Sequence, residues 1–177
     1  MRPVERLEAG IDRMLYRPSL RALVFLWGGS NFHWARRALI FGLLVLVAGM
    51  IMDGGVFFGV LVGLLWTLGT LRALEAVRNL ERMVGEASDA VSPAVLRECR
   101  VLSGGRVSME LLAVVLIGFA VSSADIWGGV QGLGFLLLSA GSAWGVDFLP
   151  PGKSLRSRIA EWVRVRVQVG LPAPAFG

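Results

Sequence analysis

The chain has 177 residues, of which 55% are hydrophobic and only 18% charged, and its mean hydropathy is +0.66. Soluble domains carry about 25% charged residues and about 45–50% apolar ones, so this balance excludes an ordinary soluble domain and points to lipid as the solvent. Eighteen basic against thirteen acidic residues give a net charge of +5, and a single cysteine, Cys99, excludes an internal disulfide or a cysteine-based metal site.

Residues 3–16 place Val4, Leu7, Ile11, Met14 and Leu15 at helical spacing, with Glu5, Arg6, Asp12 and Arg13 elsewhere round the helix. That pattern predicts an amphipathic helix on a membrane surface. After Pro18, the stretch Leu20 to Trp27 is apolar but too short to span a bilayer or to serve as a signal-peptide core, so it is expected in the interface. Residues 1–29 therefore read as an interfacial N-terminal unit.

Residues 30–72 read as a first membrane hairpin, pairing Ala38–Met52 with Val56–Leu71 across the turn-forming Asp53-Gly54-Gly55. A hydrocarbon core of about 30 Å takes roughly 20 helical residues. The first arm reaches across only if its helix begins near Asn31, with Ser30 as N-cap, while Arg36 and Arg37 snorkel to the surface.

Residues 73–106 form a connector. Leu74, Val77, Leu80 and Val84 continue the helical pattern, Gly85 to Pro93 ends it, and a shorter helix is expected over Ala94 to Leu102. Residues 107–149 then form a second hairpin, Leu111–Val121 with Ile126–Leu149, turning at Ser122 to Asp125. Residues 150–177 are a basic tail. A helix from Ser154 to Trp162 runs into Val163–Val169, whose alternation reads either as a strand or as a continuing interfacial helix, before a Pro-rich end.

The expected fold class is an all-α polytopic membrane protein of two helical hairpins, giving four membrane segments, with cytoplasmic amphipathic helices. All eighteen basic residues fall outside the two hairpin tips. Basic residues near membrane segments stay on the cytoplasmic side, so both termini and the connector are expected there, in a bacterial inner membrane or a eukaryotic or virus-induced endomembrane. The two hairpins also echo one another, since Asp53-Gly54-Gly55-Val56 and the run from Asp125 to Gly128-Gly129-Val130 each place an acid before Gly-Gly-Val.

The most specific signal is glycine spacing. Gly55, Gly59 and Gly63 recur every four residues, and Gly128 with Gly132 and Gly141 with Gly145 repeat it. Faces stripped of side chains let another backbone approach, within a hairpin or from a partner helix. Asp53 and Asp125 are the acids that could lie within the apolar pairs, either as intramembrane carboxylates or as loop acids at the turns. Gln131 is expected to make a helix-to-helix hydrogen bond, and Arg36, Arg37, Arg72, Arg106 and Lys153 to meet lipid headgroups. His33 with Trp34, Trp66 and Trp144 reads as an interfacial aromatic belt.

No phosphate loop, dinucleotide fingerprint, nucleophile elbow or HExxH motif occurs, so no catalytic residue, cofactor or metal is assigned and a non-enzymatic role is expected. The arginines are dispersed without interleaved base-stacking aromatics, which excludes nucleic acid as a partner. Expected partners are a bilayer with anionic headgroups, helices of other membrane proteins or a second copy, and a soluble protein at the C-terminal tail. The leading expectation is a membrane subunit or assembly scaffold packing through its glycine faces. The alternatives are a membrane-shaping protein, whose layout resembles reticulon-type hairpin proteins in topology alone, and a small channel, transporter or holin-like pore.

Overall fold

A computed structural model describes residues 10–85, 92–149 and 155–169, and every element assigned among them is helical. Most of the expected helix over residues 3–16, Lys153 and the Pro-rich end lie outside the described residues.

A five-residue π turn, Asp12–Tyr16, leads directly into α1, Arg17–Trp27. The wider turn sits where Pro18 can neither donate an N–H nor fit its ring against the preceding turn. Ser19 Oγ donates to the carbonyls of Leu15 (2.8 Å) and Tyr16 (2.9 Å), serving acceptors that the distorted ladder strands. The helix therefore runs through Pro18, where the sequence reading expected a division. It ends at Gly28 and Gly29, whose φ values of 69° and 90° belong to glycine.

The next helix, α2, covers Asn31–Gly85 and is broken at one residue, Gly55 (φ 81°, ψ 166°). The side chain of Ser30 accepts the N–H of His33 at 3.2 Å and so caps the start, well before the apolar stretch at Ala38. A Cβ at Gly59 would lie 2.8 Å from the Ile51 Cα, and one at Gly63 would lie 3.1 Å from a Val47 methyl. An unbroken helix would hold those pairs about 12 and 24 Å apart. The chain therefore doubles back at Gly55, and Arg36 meets Glu81 at 2.9 Å nearer the other end.

Beyond it come α3 (Ser92–Gly104), α4 (Arg106–Ser123), α5 (Ile126–Trp144) and α6 (Leu155–Val169). The second reversal is built differently from the first. Ala124 closes α4 in the left-handed region (φ 55°), and Asp125 caps α5 by accepting the N–H groups of Trp127 and Gly128 at 3.0 and 3.2 Å. The tract Val163–Val169, read as strand or helix, is helical and forms the end of α6.

Among the described residues four segments are long and apolar enough to cross a membrane: Asn31–Phe57, Gly59–Gly85, Pro93–Ser123 and Ile126–Trp144. The third is much longer than Leu111–Val121 because α3 passes almost straight into α4. Burial separates the fourth from the rest, since 61% of its apolar stretch is enclosed against 28%, 22% and 17% for the others. Glycines account for this. Gly132 admits Ile117 and Ala113 of α4 on one side, while Gly134 and Gly141 admit Leu46 and Leu39 of α2 on the other.

A second packed region lies beside the lower half of α2. Ala76, Val77 and Leu80 are fully enclosed there with Val95 and Cys99 of α3, and Ile159 of α6 is almost so. Phe148 joins this layer to both neighbours by stacking on Phe32 (5.7 Å) and edge-on to Trp162 (5.5 Å).

Candidate functional site

Two features meet at the end of the bundle where α1, the start of α2 and the start of α4 converge, here termed the basic end. The first is a buried polar cluster. Arg106 is 4% exposed and its guanidinium meets the Asp12 carboxylate and, at 3.3 Å, Glu110 Oε1. The Ser139 hydroxyl donates to that same Glu110 oxygen at 2.8 Å and accepts from the Tyr16 hydroxyl at 3.1 Å. The Arg106 guanidinium also lies 5.5 Å from the centre of the Tyr16 ring. Charges this deep are tolerated only when paired, so Arg106 ties the π turn to α4 through opposite charge, and Ser139 joins α5 to the cluster by its hydroxyl.

Burial pushes the Tyr16 phenol up to about 12, because a phenolate there would lose its water. Tyr16 also presents its carbonyl to the Trp144 indole N–H at 2.9 Å. The next residue, Arg17, pairs with Asp147 at 2.9 Å. Burial still raises the Asp147 carboxyl above its ordinary value, outweighing the pull of Arg17, and burial lowers Arg158 nearby.

The second feature is an apolar groove of about 530 Å³ between α1, α2 and α5. Trp34, Arg37, Phe41 and Leu44 of α2 and Leu137 and Trp144 of α5 line it.

The residues singled out from sequence are distributed as follows. Gly59 and Gly63 receive the opposite half of α2, Gly132 receives α4, Gly141 receives α2, and Gly145 lies against Leu102 and Val77. Gly128 sits over its own cap residue, Asp125, and Gly55 makes the turn with open space around it. The glycine faces expected to admit a partner helix are thus filled mainly by the chain's own helices. Gly42, Gly49 and Gly134 also make close backbone contacts, and the four-residue spacing did not reveal them. They recur with Gly141 as pairs seven residues apart, which is two helical turns on each of α2 and α5.

Asp53 is exposed and accepts from the Gln131 amide at 2.9 Å, and the same amide reaches the Gly49 carbonyl at 3.4 Å. Of the expected headgroup arginines, Arg106 is a correction, since its pairing with Asp12 and Glu110 withdraws it from any surface. Arg36 is bound to Glu81, and Arg72 to Glu75 at 2.6 Å and Glu98 at 3.5 Å. Arg37 is exposed, and its guanidinium lies over the Trp34 ring at 5.2 Å. His33 stands edge-on to Trp34 (5.7 Å), whereas Trp66 packs against Phe135 at 4.8 Å within the bundle. Cys99 is fully buried, which removes it from surface chemistry.

Among the described residues the arrangement is all-helical, with four helices long and apolar enough to cross a membrane and a packed helical layer beside them. Comparison with protein-family models, curated proteins and solved structures gave no match, so the functional reading rests on this geometry.

Proposed function

We propose that this protein is a non-enzymatic integral membrane subunit or assembly scaffold. Its four segments are two membrane hairpins with their turns at Gly55 and Ala124, and its basic end faces the cytoplasm. The observation that carries the reading is the helical layer built from the lower half of α2 with α3 and α6. Its inward residues join the hydrophobic core of the bundle, while Arg78, Arg82, Arg97, Arg100 and Arg164 are exposed. A layer so packed and so basic suits docking of an acidic soluble or peripheral protein, and charge complementarity would steer that encounter.

Purification in mild detergent followed by mass determination tests this. A stoichiometric complex that is lost on Arg97→Glu with Arg100→Glu, while the chain still resists carbonate extraction, is the expected result. A bare monomer with and without those changes would overturn it. Orientation is checked separately by cysteines at Gly54 and Ser123, which should label from the side opposite the basic end.

Membrane shaping is the second reading, favoured by Met14, Phe25, Leu26 and Trp27, which are 83%, 88%, 65% and 72% exposed on the segment containing α1. Apolar area of that kind, lying in one leaflet, would enlarge it. Tubulation of proteoliposomes by the purified chain alone would move the conclusion to this reading.

A further inference from the structure

The groove at the basic end has the chemistry of a single ligand class. Its walls are ring faces and aliphatic side chains, and the polar edges of its two tryptophans are already used. The Trp34 indole N–H donates to the Gly28 carbonyl at 2.7 Å, and that of Trp144 to the Tyr16 carbonyl at 2.9 Å. What remains polar is the Arg37 guanidinium. Arg37 enters none of the ion pairs found among the described residues, although the adjacent Arg36 is bound to Glu81.

Arg37, Phe41 and Leu44 fall on one helix face, and the face descends about 10 Å from the cation to the last leucine. A volume of 530 Å³ lies within the range of about 300–1,000 Å³ typical of small-molecule sites. A single cation beside a hydrocarbon wall matches an anionic headgroup with its acyl chain alongside. A soluble phosphate would leave the apolar walls uncovered.

We propose that this groove holds one acyl chain of an anionic phospholipid whose phosphate is bound by Arg37. The inference rests on the membrane reading above and gives it a defined lipid site. Arg37 supplies charge-assisted hydrogen bonds, and its stacking on Trp34 fixes the guanidinium in place.

The test uses the full chain, first shown to resist carbonate extraction, then exchanged into detergent with either phosphatidylglycerol or phosphatidylcholine and weighed by native mass spectrometry. One phosphatidylglycerol per chain should be retained in preference to phosphatidylcholine. Arg37→Gln should weaken retention about tenfold or more, the loss of one charge-assisted contact. Leu44→Trp, at an exposed position of the groove wall, should fill the groove and also weaken it, whereas Arg82→Gln, outside the groove lining, should not.

Equal retention by Arg37→Gln, an unchanged affinity in Leu44→Trp, or displacement by glycerol phosphate would overturn the proposal. So would a lipid-free dimer that Arg37→Gln dissolves, since a second copy would then occupy the groove. Failure of carbonate resistance would instead overturn the membrane reading itself.

Discussion

Tyr16 is the single tyrosine of the chain, and it sits between a buried ion pair and the serine that bridges to it. Its phenol is held at about 12 against an ordinary 10.0. A raised value in the folded state means that the stabilisation it reports is complete below pH 10 and is lost as the pH climbs through about 12. Absorbance titration of phenolate should therefore show a midpoint near 12 for the native protein and near 10 after denaturation. A native midpoint at 10 would place Tyr16 in water. Gly134 offers a second check, because a Cβ there would lie 2.8 Å from the Leu46 backbone, while Gly69 has nothing within 4 Å. Gly134→Leu should cost about 1–3 kcal/mol or more by overpacking, and Gly69→Leu less than about 0.5 kcal/mol. Thermal unfolding in detergent would separate them.

Among the elements, the two turns use opposite solutions to the same problem. Gly55 adopts φ and ψ values that are essentially reserved for glycine, so Gly55→Ala should destabilise by about 1–3 kcal/mol. Ala124 occupies the left-handed region with a Cβ in the way, so Ala124→Gly should leave the fold intact and stabilise it by up to about 1 kcal/mol. Melting temperatures moving in opposite directions would confirm both backbone readings.

The apolar segments were legible in the sequence because lipid demands long hydrophobic runs, and the cap at Ser30 was legible because capping is local. The alternating Val and Arg of the last helix left strand and helix both open, and the helix prevails because it puts Ile159, Trp162 and Val163 on one face against the core. The union of α3 with α4 was hidden by Ser103-Gly104-Gly105, which reads as a break but keeps helical backbone with Gly105 at φ −104°. The polar cluster was hidden for a different reason. Arg106 and Asp12 are 94 positions apart, and no local spacing encodes that meeting. Gly42, Gly49 and Gly134 escaped notice because the seam between α2 and α5 repeats every two turns, and a search for four-residue ladders passes over it.

For the molecule as a whole, the seam joins the first membrane segment to the last. Leu46 fills the notch at Gly134 and Leu39 that at Gly141, while Gly42 and Gly49 take the backbone of α5 in return. The polar cluster repeats the pattern, tying the π turn to α4 and α5 by way of Arg106 and Ser139. Closure of the bundle thus depends on contacts between its two halves.

That seam sets a timetable for biogenesis. Synthesis at about 5–20 residues per second delivers Gly134 roughly 4–18 s after Leu46 has been joined to the chain. Throughout that interval the nascent first half carries open notches at Gly42 and Gly49, and whatever shields them must yield when α5 arrives. If these contacts suffice without covalent continuity, fragments 1–88 and 89–177 translated as separate chains should find one another in the same membrane and copurify. Independent migration of the two would show that covalent continuity, and not the interlocking of Leu46 with Gly134, brings the late segment to the early one.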